Sequence, residues 1–279
     1  MATYSLTAIT IGSFALGESD KILTLFSAER GIVRAVAKGA RKPGTKSSGR
    51  SDVLGANKLL LAKGKSLDII TQSEGMESFR PLRNDLQRLT YSLYYAELAQ
   101  HFGTGLEQES EKFFEFLLCS FRAQSDGVAE ASILCLEFEL RLLQQLGYQP
   151  EIDACVICRN ALTEYLLATF NFDLGGIVCE RCISNQRRLV REGSEEADLS
   201  AADLNSSVSP HITPMVWKRM VLASQSDTDV TQTKLDGIPK ASSSPALIKA
   251  NQAARRIIQA YIEHRAGRRM KSLDLIAQL

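Results

Sequence analysis

Apolar and polar positions alternate in short runs between residues 2 and 75, and from residue 81 onward the repeat lengthens to a helical period. Residues 4–11, 21–27 and 31–37 are rich in β-branched and apolar side chains, the composition of strands that bury one face. Turn formers separate them: Gly12-Ser13, then Gly17-Glu18-Ser19-Asp20, then Glu29-Arg30-Gly31. Residues 53–62 and 66–73 predict a fourth and a fifth strand joined across Lys63-Gly64-Lys65. Five short strands in about 75 residues fit a small closed barrel, because closure leaves no strand edge exposed. The five-stranded OB-fold is the natural candidate, and patterning does not separate it from other small barrels.

Beyond Pro81, Leu82, Leu86, Leu89, Leu93 and Leu98 recur at helical spacing with Tyr94 between them. Phe113, Phe116 and Leu117 mark a second helix, and Ile133, Leu136, Leu140 and Leu143 a third that runs into Gly147. Cys119 and Cys135 fall on these apolar stretches and are expected in the core, as are Tyr91, Tyr94 and Tyr95. Residues 214–224 predict a short helix, 245–265 a long amphipathic one, and 272–279 an apolar tail. The stretches 192–210 and 225–245 are polar and read as loop or linker. The pattern predicts an α+β multidomain chain: an OB-fold nucleic-acid-binding domain over residues 1–80, then a mainly helical domain over 81–279.

A four-cysteine module is embedded in the helical part, at about residues 151–190. Cys155-x-x-Cys158 is followed by Cys179-x-x-Cys182, with Gly175 and Gly176 placed for a turn before the second pair. Two such pairs can each form a tight knuckle and supply four thiolates at tetrahedral geometry, the donor set of structural zinc. A redox pair needs only one CxxC. Four thiolates also close the coordination shell, and His101, His211 and His264 lie away from the cysteines. The site therefore reads as a staple holding one zinc ion rather than a catalytic centre, and the chain as a protein that binds rather than catalyses.

The formal net charge is only +1, but it is unevenly spread. Residues 1–80 carry 12 basic and 7 acidic side chains, whereas residues 81–150 carry 5 and 10. From 30 to 50 there are seven basic residues and no acidic one: Arg30, Arg34, Lys38, Arg41, Lys42, Lys46 and Arg50. A cationic connection of this kind gains most by neutralising phosphates and releasing counterions. The alternative is a solvated charged loop. Gly39-x-x-x-x-Gly44 imitates a phosphate-binding loop, but Thr45 stands where that motif needs lysine and Pro43 removes an amide, so nucleotide hydrolysis is not expected. The barrel segment holds few aromatics, Tyr4, Phe14, Phe26 and Phe79, which predicts a mostly electrostatic and poorly sequence-specific grip. No apolar run approaches the roughly 18–20 residues of a membrane span. The first residues do not form an export signal, so a reducing cytoplasm is expected.

Residues 17–26, Gly-Glu-Ser-Asp-Lys-Ile-Leu-Thr-Leu-Phe, then Glu29-Arg30-Gly31 and residues 36–43, Val-Ala-Lys-Gly-Ala-Arg-Lys-Pro, resemble the opening of the RecO family of bacterial recombination mediators. The two CxxC pairs behind a helical block resemble the zinc motif of many members, and Tyr261-Ile262-Glu263-His264 leading to Lys271-Ser272-Leu273 resembles the family's C-terminal signature. The polar 192–210 and 225–245 stretches are longer than the family pattern. The resemblance implies an N-terminal OB-fold, a helical domain and a zinc module. It also implies binding of single- and double-stranded DNA, annealing of complementary strands, and help in loading RecA onto DNA coated by single-strand DNA-binding protein. The implied partners are RecR and the acidic tail of single-strand DNA-binding protein, in the nucleoid-associated cytoplasm.

Further cations could serve these roles. Arg80 and Arg83 could extend a DNA-binding face, and Arg187, Arg188 and Arg191 form another basic patch. Arg255, Arg256, Arg265, Arg268 and Arg269, beside Ile257, Ile258 and Ile262, offer a cationic rim for an acidic peptide, although a solvated helix face has the same appearance. Two other functions compete: a zinc-stapled RNA-binding or transcription-associated protein, and a metal-dependent nuclease. The nuclease needs a carboxylate cluster, and Glu107, Glu109, Glu111 and Glu115 are spaced over more than one helix face.

Overall fold

The computed structural model describes residues 2–42, 51–192, 207–225 and 244–276. They divide into two compact units. The first takes its described residues from 1–131 and 269–279, the second from 132–227 and 239–268. Lys46, Arg50 and most of the 192–210 and 225–245 stretches lie outside the described residues.

The first unit is built on a closed barrel in the order β1-β2-β3-β5-β4, with β1 (Thr3–Leu16), β2 (Asp20–Ser27), β3 (Gly31–Ala37), β4 (Ala56–Ala62) and β5 (Asp68–Glu77). Neighbours pair antiparallel except β3 and β5, whose parallel contact closes the wall, so the barrel is OB-like. Its interior is filled by alternate positions: Leu6 and Ala8, Leu23 and Leu25, Ala35 and Ala37, Leu59 and Leu61. The strands β2 and β3 run as the pattern predicts. β1 does not end at Gly12-Ser13; it passes through that pair with a bulge between Thr10 and Gly12 and continues to Leu16. β4 begins late because Leu54, at φ 75, turns the chain back so that its N–H donates to the Thr10 carbonyl at 2.8 Å.

The outer faces of β1 and β2 are also apolar, at Ile9, Ile11 and Phe26, and they need cover. A short 3-10 turn (Arg80–Asn84) leads to α1 (Leu86–Phe102), capped by the Asp85 side chain on the Arg88 N–H at 3.1 Å, and then to α2 (Ser110–Asp126). Phe113 of α2 meets Phe26 edge-on at 4.9 Å, and Ser110 Oγ donates to the Ala28 carbonyl at 2.7 Å. Gly12 lets the Gln100 amide lie close against β1: a Cβ there would stand 2.9 Å from Gln100 Oε1 and would push that side-chain end aside. Strand thus gives way to helix near residue 80, while compact packing continues to Ala131. The chain returns to this unit at α7 (Lys271–Ile276), where the Glu97 carboxylate accepts from the backbone N–H of Lys271 and of Ser272, each at 2.9 Å. That carboxylate fills the donor positions at a helix start.

The second unit holds α3 (Ala131–Gln145, from Ser132 onward), the hairpin β6 (Leu167–Asn171) and β7 (Gly176–Cys179), α4 (Glu180–Glu192), α5 (Pro214–Ser224) and α6 (Pro245–Ala266). α5 starts on a Thr213 cap and α6 on a Ser244 cap, each with proline in the first turn. Cys119 and Cys135 are buried in their respective units. No helix among the described residues is long and apolar enough to cross a membrane.

Candidate metal centre and nucleic-acid interface

The four cysteines converge in the second unit. Cys155 and Cys158 sit on one turn, closed by the Arg159 N–H donating to the Cys155 carbonyl at 2.9 Å. The second pair is not a free knuckle: Cys179 ends β7 and Cys182 lies in the first turn of α4. All four sulfur atoms lie within 4.8 Å of one another; Cys155 and Cys182 are 3.9 Å apart, Cys158 and Cys179 3.8 Å. Four sulfurs at about 2.3 Å from a tetrahedral zinc stand about 3.8 Å apart, so the donor set and its spacing fit such an ion. Together these side chains could hold a metal ion. Cys155 and Cys179 are buried, and Cys158 and Cys182 lie nearer the surface.

Backbone groups favour the thiolate at Cys155. Burial pushes the Cys155 thiol up, but N–H groups of Cys158, Cys179 and Ile157 outweigh it and bring the thiol to about 7. The Cys179 N–H lies 3.3 Å from the Cys155 sulfur. Burial pushes the Cys179 and Cys182 thiols up, and for Cys182 the neighbouring sulfurs add to it. The support beneath is apolar: Ile152, Leu162, Leu167, Phe170, Ile177 and Val178 are all buried. Trp217 Nε1 ties α5 to the Ile152 carbonyl at 2.8 Å. Among the described residues, these cysteines are the only group of three or more metal-ligating side chains that converge.

The barrel sorts the basic residues into two places rather than one loop. Lys38, Arg41 and Lys42 leave the end of β3 and lie exposed beside the β1–β2 turn. That corner is organised by Asp20, which accepts from the Gly39 N–H at 2.8 Å and the Ser19 hydroxyl at 2.8 Å. The Gly39 N–H first, and the Ser19 hydroxyl after it, hold the Asp20 carboxyl below its ordinary range. The Arg41 N–H donates to the Ser19 carbonyl at 2.9 Å, and its guanidinium to the Gly17 carbonyl. Arg34 is exposed midway along β3. Arg30 lies at the far end of the β2–β3 hairpin, about 26 Å from Lys38 at strand rise. There its guanidinium covers the Tyr4 ring at 4.1 Å, and the Tyr4 hydroxyl donates to Asp68. Burial, then that hydrogen bond, pushes Tyr4 up to about 12.

The remaining candidates divide sharply. Arg80 is exposed, but Arg83 is paired with Asp52 at 2.7 Å. Arg187, Arg188 and Arg191 are exposed on α4. Arg255 is a correction: it is 4% exposed, with Nε 4.0 Å from the fully buried Glu139 carboxylate, and so belongs to the core of the second unit. It falls on the buried stripe of α6 with Ile258 and Ile262, a placement its charge disguised in the sequence. Arg256 is exposed and Arg265 half-buried, 5.3 Å from the Tyr148 ring centroid and 5.1 Å from that of Tyr261. Arg268 and Arg269 follow α6 on the surface, Arg269 within 3.8 Å of Asp274. One residue was undervalued by reading the sequence. Phe14, counted only as one of few aromatics, stands 54% exposed on the extended arm of β1 beside this basic corner, whereas Phe26 and Phe79 are buried.

Comparison with known proteins agrees with these features. Residues 1–79 match the family described as Recombination protein O N terminal, and residues 83–200 the one described as Recombination protein O C terminal. The chain is 36% identical to the DNA repair protein RecO of Pelotomaculum thermopropionicum over 205 residues, 74% of this chain and 78% of the relative. It is 29% identical to the DNA repair protein RecO of Nostoc sp. over 294 aligned positions, 98% of this chain and 95% of the relative. The corresponding protein of Acaryochloris marina is 32% identical over 70% of this chain and 68% of its own length. The two family matches together span residues 1–79 and 83–200, and with the relatives' identity and coverage they establish that the chain belongs to the RecO family of DNA repair proteins.

Proposed function

We propose that this protein is a recombination mediator that binds DNA and catalyses no covalent step. It binds single- and double-stranded DNA through the barrel, anneals complementary strands, and helps load RecA onto DNA coated by single-strand DNA-binding protein. The observation that carries the reading is the exposed basic edge of Arg34, Lys38, Arg41 and Lys42 on an OB-like barrel in a chain of this family. Cations held at the edge of the barrel neutralise phosphates without reading base edges, which leaves bases free to pair. Arg30, Lys46, Arg50, Arg80 and the Arg187, Arg188, Arg191 patch are secondary DNA contacts. RecR and the acidic tail of single-strand DNA-binding protein are the protein partners, with Arg256, Arg265, Arg268 and Arg269 as the cations for the tail. The site of action is the cytoplasm, at the nucleoid.

Cys155, Cys158, Cys179 and Cys182 hold one zinc ion. Bound zinc supplies a closed four-thiolate cross-link, and the chain's own residues supply the fold it locks: the Cys155–Cys158 turn against the β7–α4 junction.

The test is annealing of complementary strands coated with single-strand DNA-binding protein, using the full chain and a variant with Arg34, Lys38, Arg41 and Lys42 replaced by alanine. The wild type accelerates annealing and the variant loses most of that acceleration. For single strands, the slope of log affinity against log salt is expected to flatten by about two to three units, at ~0.7 per phosphate contact. An unchanged slope removes the basic edge from the interface, and absence of annealing by the wild type removes the mediator reading.

A further inference from the structure

The outer wall of the barrel carries an apolar row between its cations. Ala35, Ala37, Leu23 and Leu25 point into the barrel, so Ile22, Arg34 and Val36 point outward. The register aligns Phe14 with Ile22, Ile22 with Val36, and Val36 with Ile69 across four successive strands. At about 4.8 Å per strand the row spans about 14 Å. Phe14 is 54% exposed and Ile22, Val36 and Ile69 are part-exposed. Arg34 stands one outward position to one side of Val36, and Lys38 one to the other. Asp20 is the acid adjoining the row, and its carboxylate is occupied by the Gly39 N–H and the Ser19 hydroxyl.

We propose that this row, with Phe14 as its platform, takes the faces of unpaired bases while the flanking cations hold the phosphates. The inference rests on the DNA-binding reading above and deepens it. Charge selects the occupant. A second copy of this chain would bring Arg34, Lys38, Arg41 and Lys42 against themselves, whereas a nucleic-acid strand brings apolar faces and anions together at this spacing. A duplex hides its base faces within the stack, so the row engages a single strand and the cations engage either form. Stacking occupies the face of a base and leaves its pairing edge open, which suits a strand held ready for a complement.

The experiment measures full-chain binding to three probes of equal length: labelled oligothymidine, an abasic strand with the same phosphates, and a duplex. Phe14→Ala is expected to weaken oligothymidine binding about tenfold, the scale of one stacked base. Binding of the abasic strand and the duplex stays within about twofold, the salt slope is unchanged, and Phe14→Trp restores affinity. Equal losses on the oligothymidine and abasic strands, or no loss on oligothymidine, overturn the inference. So does a change of oligomeric state in Phe14→Ala, which would assign the row to a protein interface. The two readings separate cleanly. If the four-alanine variant flattens the salt slope while Phe14→Ala changes nothing, only the base row fails. If the wild type binds none of the probes, the DNA-binding reading fails with it.

Discussion

Loss of the proposed zinc ion gives the most demanding test of how the second unit is held together. Consider Cys179→Ser in the full-length protein. Cys179 is 3% exposed, sits 3.8 Å from the Cys158 sulfur, and its own N–H reaches the Cys155 sulfur. Its loss therefore removes a ligand and disturbs the strand that aims a second one. Structural zinc contributes an apparent ~10–16 kcal/mol to folding of small modules. A whole domain has only about 5–15 kcal/mol to spare. The loss is thus large enough to unfold the module around residues 151–182 rather than loosen it. Hydrogen exchange read by mass spectrometry reports this directly. Wild-type protein is expected to carry one zinc per chain and to protect the amides of β6 and β7. Cys179→Ser, or wild type after chelation, loses the metal and exchanges these amides at least a hundredfold faster. Peptides from β2 and β3 keep their protection, because their core of Leu23, Leu25, Ala35 and Ala37 contains no metal ligand. Verified loss of zinc with protection of β6 and β7 unchanged would show that the apolar support under the cysteines suffices, and the staple argument would fail.

Other expectations follow from single contacts. Gly103→Val puts its Cβ 2.9 Å from Ile32 Cδ1 and 3.0 Å from Phe26 Cε2, and should cost about 1–3 kcal/mol in urea unfolding through overpacking. Glu97→Ala leaves the first N–H groups of α7 without their acceptor; about 1–2 kcal/mol of local stability should vanish, seen as faster exchange at residues 271–276 with α1 protected. The Asp20 carboxyl, lowered in the folded state chiefly by the Gly39 N–H, contributes in full above the unfolded value of about 3.9, and that contribution is lost as pH falls through the lower folded value. An NMR titration should therefore place its midpoint below 3.9, with the Gly39 amide shifting in step; a midpoint at or above 3.9 would contradict the corner geometry.

The parts legible in the sequence were those whose period was long or strict. β2 and β3 alternate cleanly because one face fills the barrel, and the leucine repeats of α1 and α3 have no competing reading. Gly12 misled because glycine marks both turns and close approaches; here it makes room for Gln100 and the strand continues. β6 is five residues with four buried, a run too short for periodicity to assign. α4 is strongly polar, so an apolar repeat does not mark its start in the sequence; it begins at Glu180, directly after Cys179. The cysteine cluster was readable because ligand spacing is a local property. The division of Arg30 from Lys38 was not, since a hairpin places residues eight apart at opposite ends of a barrel. Charge likewise suggested a surface role for Arg255, which only the buried Glu139 beside it could reveal as part of the core.

The docking of α7 on α1 has a consequence for synthesis. Glu97 and Lys271 are 174 residues apart in the chain, and everything between them includes the whole second unit. The ribosome delivers Glu97 early, yet its partners emerge only after the metal module and α6 have been made. Until then the nascent first unit carries the Glu97 patch of α1 without its cover. The order of assembly is thereby imposed by the genetic order of the segments: the barrel can form first, the inserted unit second, and the seal on α1 last. A chaperone-depleted translation arrested before residue 271 should leave that patch open to aggregation, at a stage when the strands of the barrel have already closed.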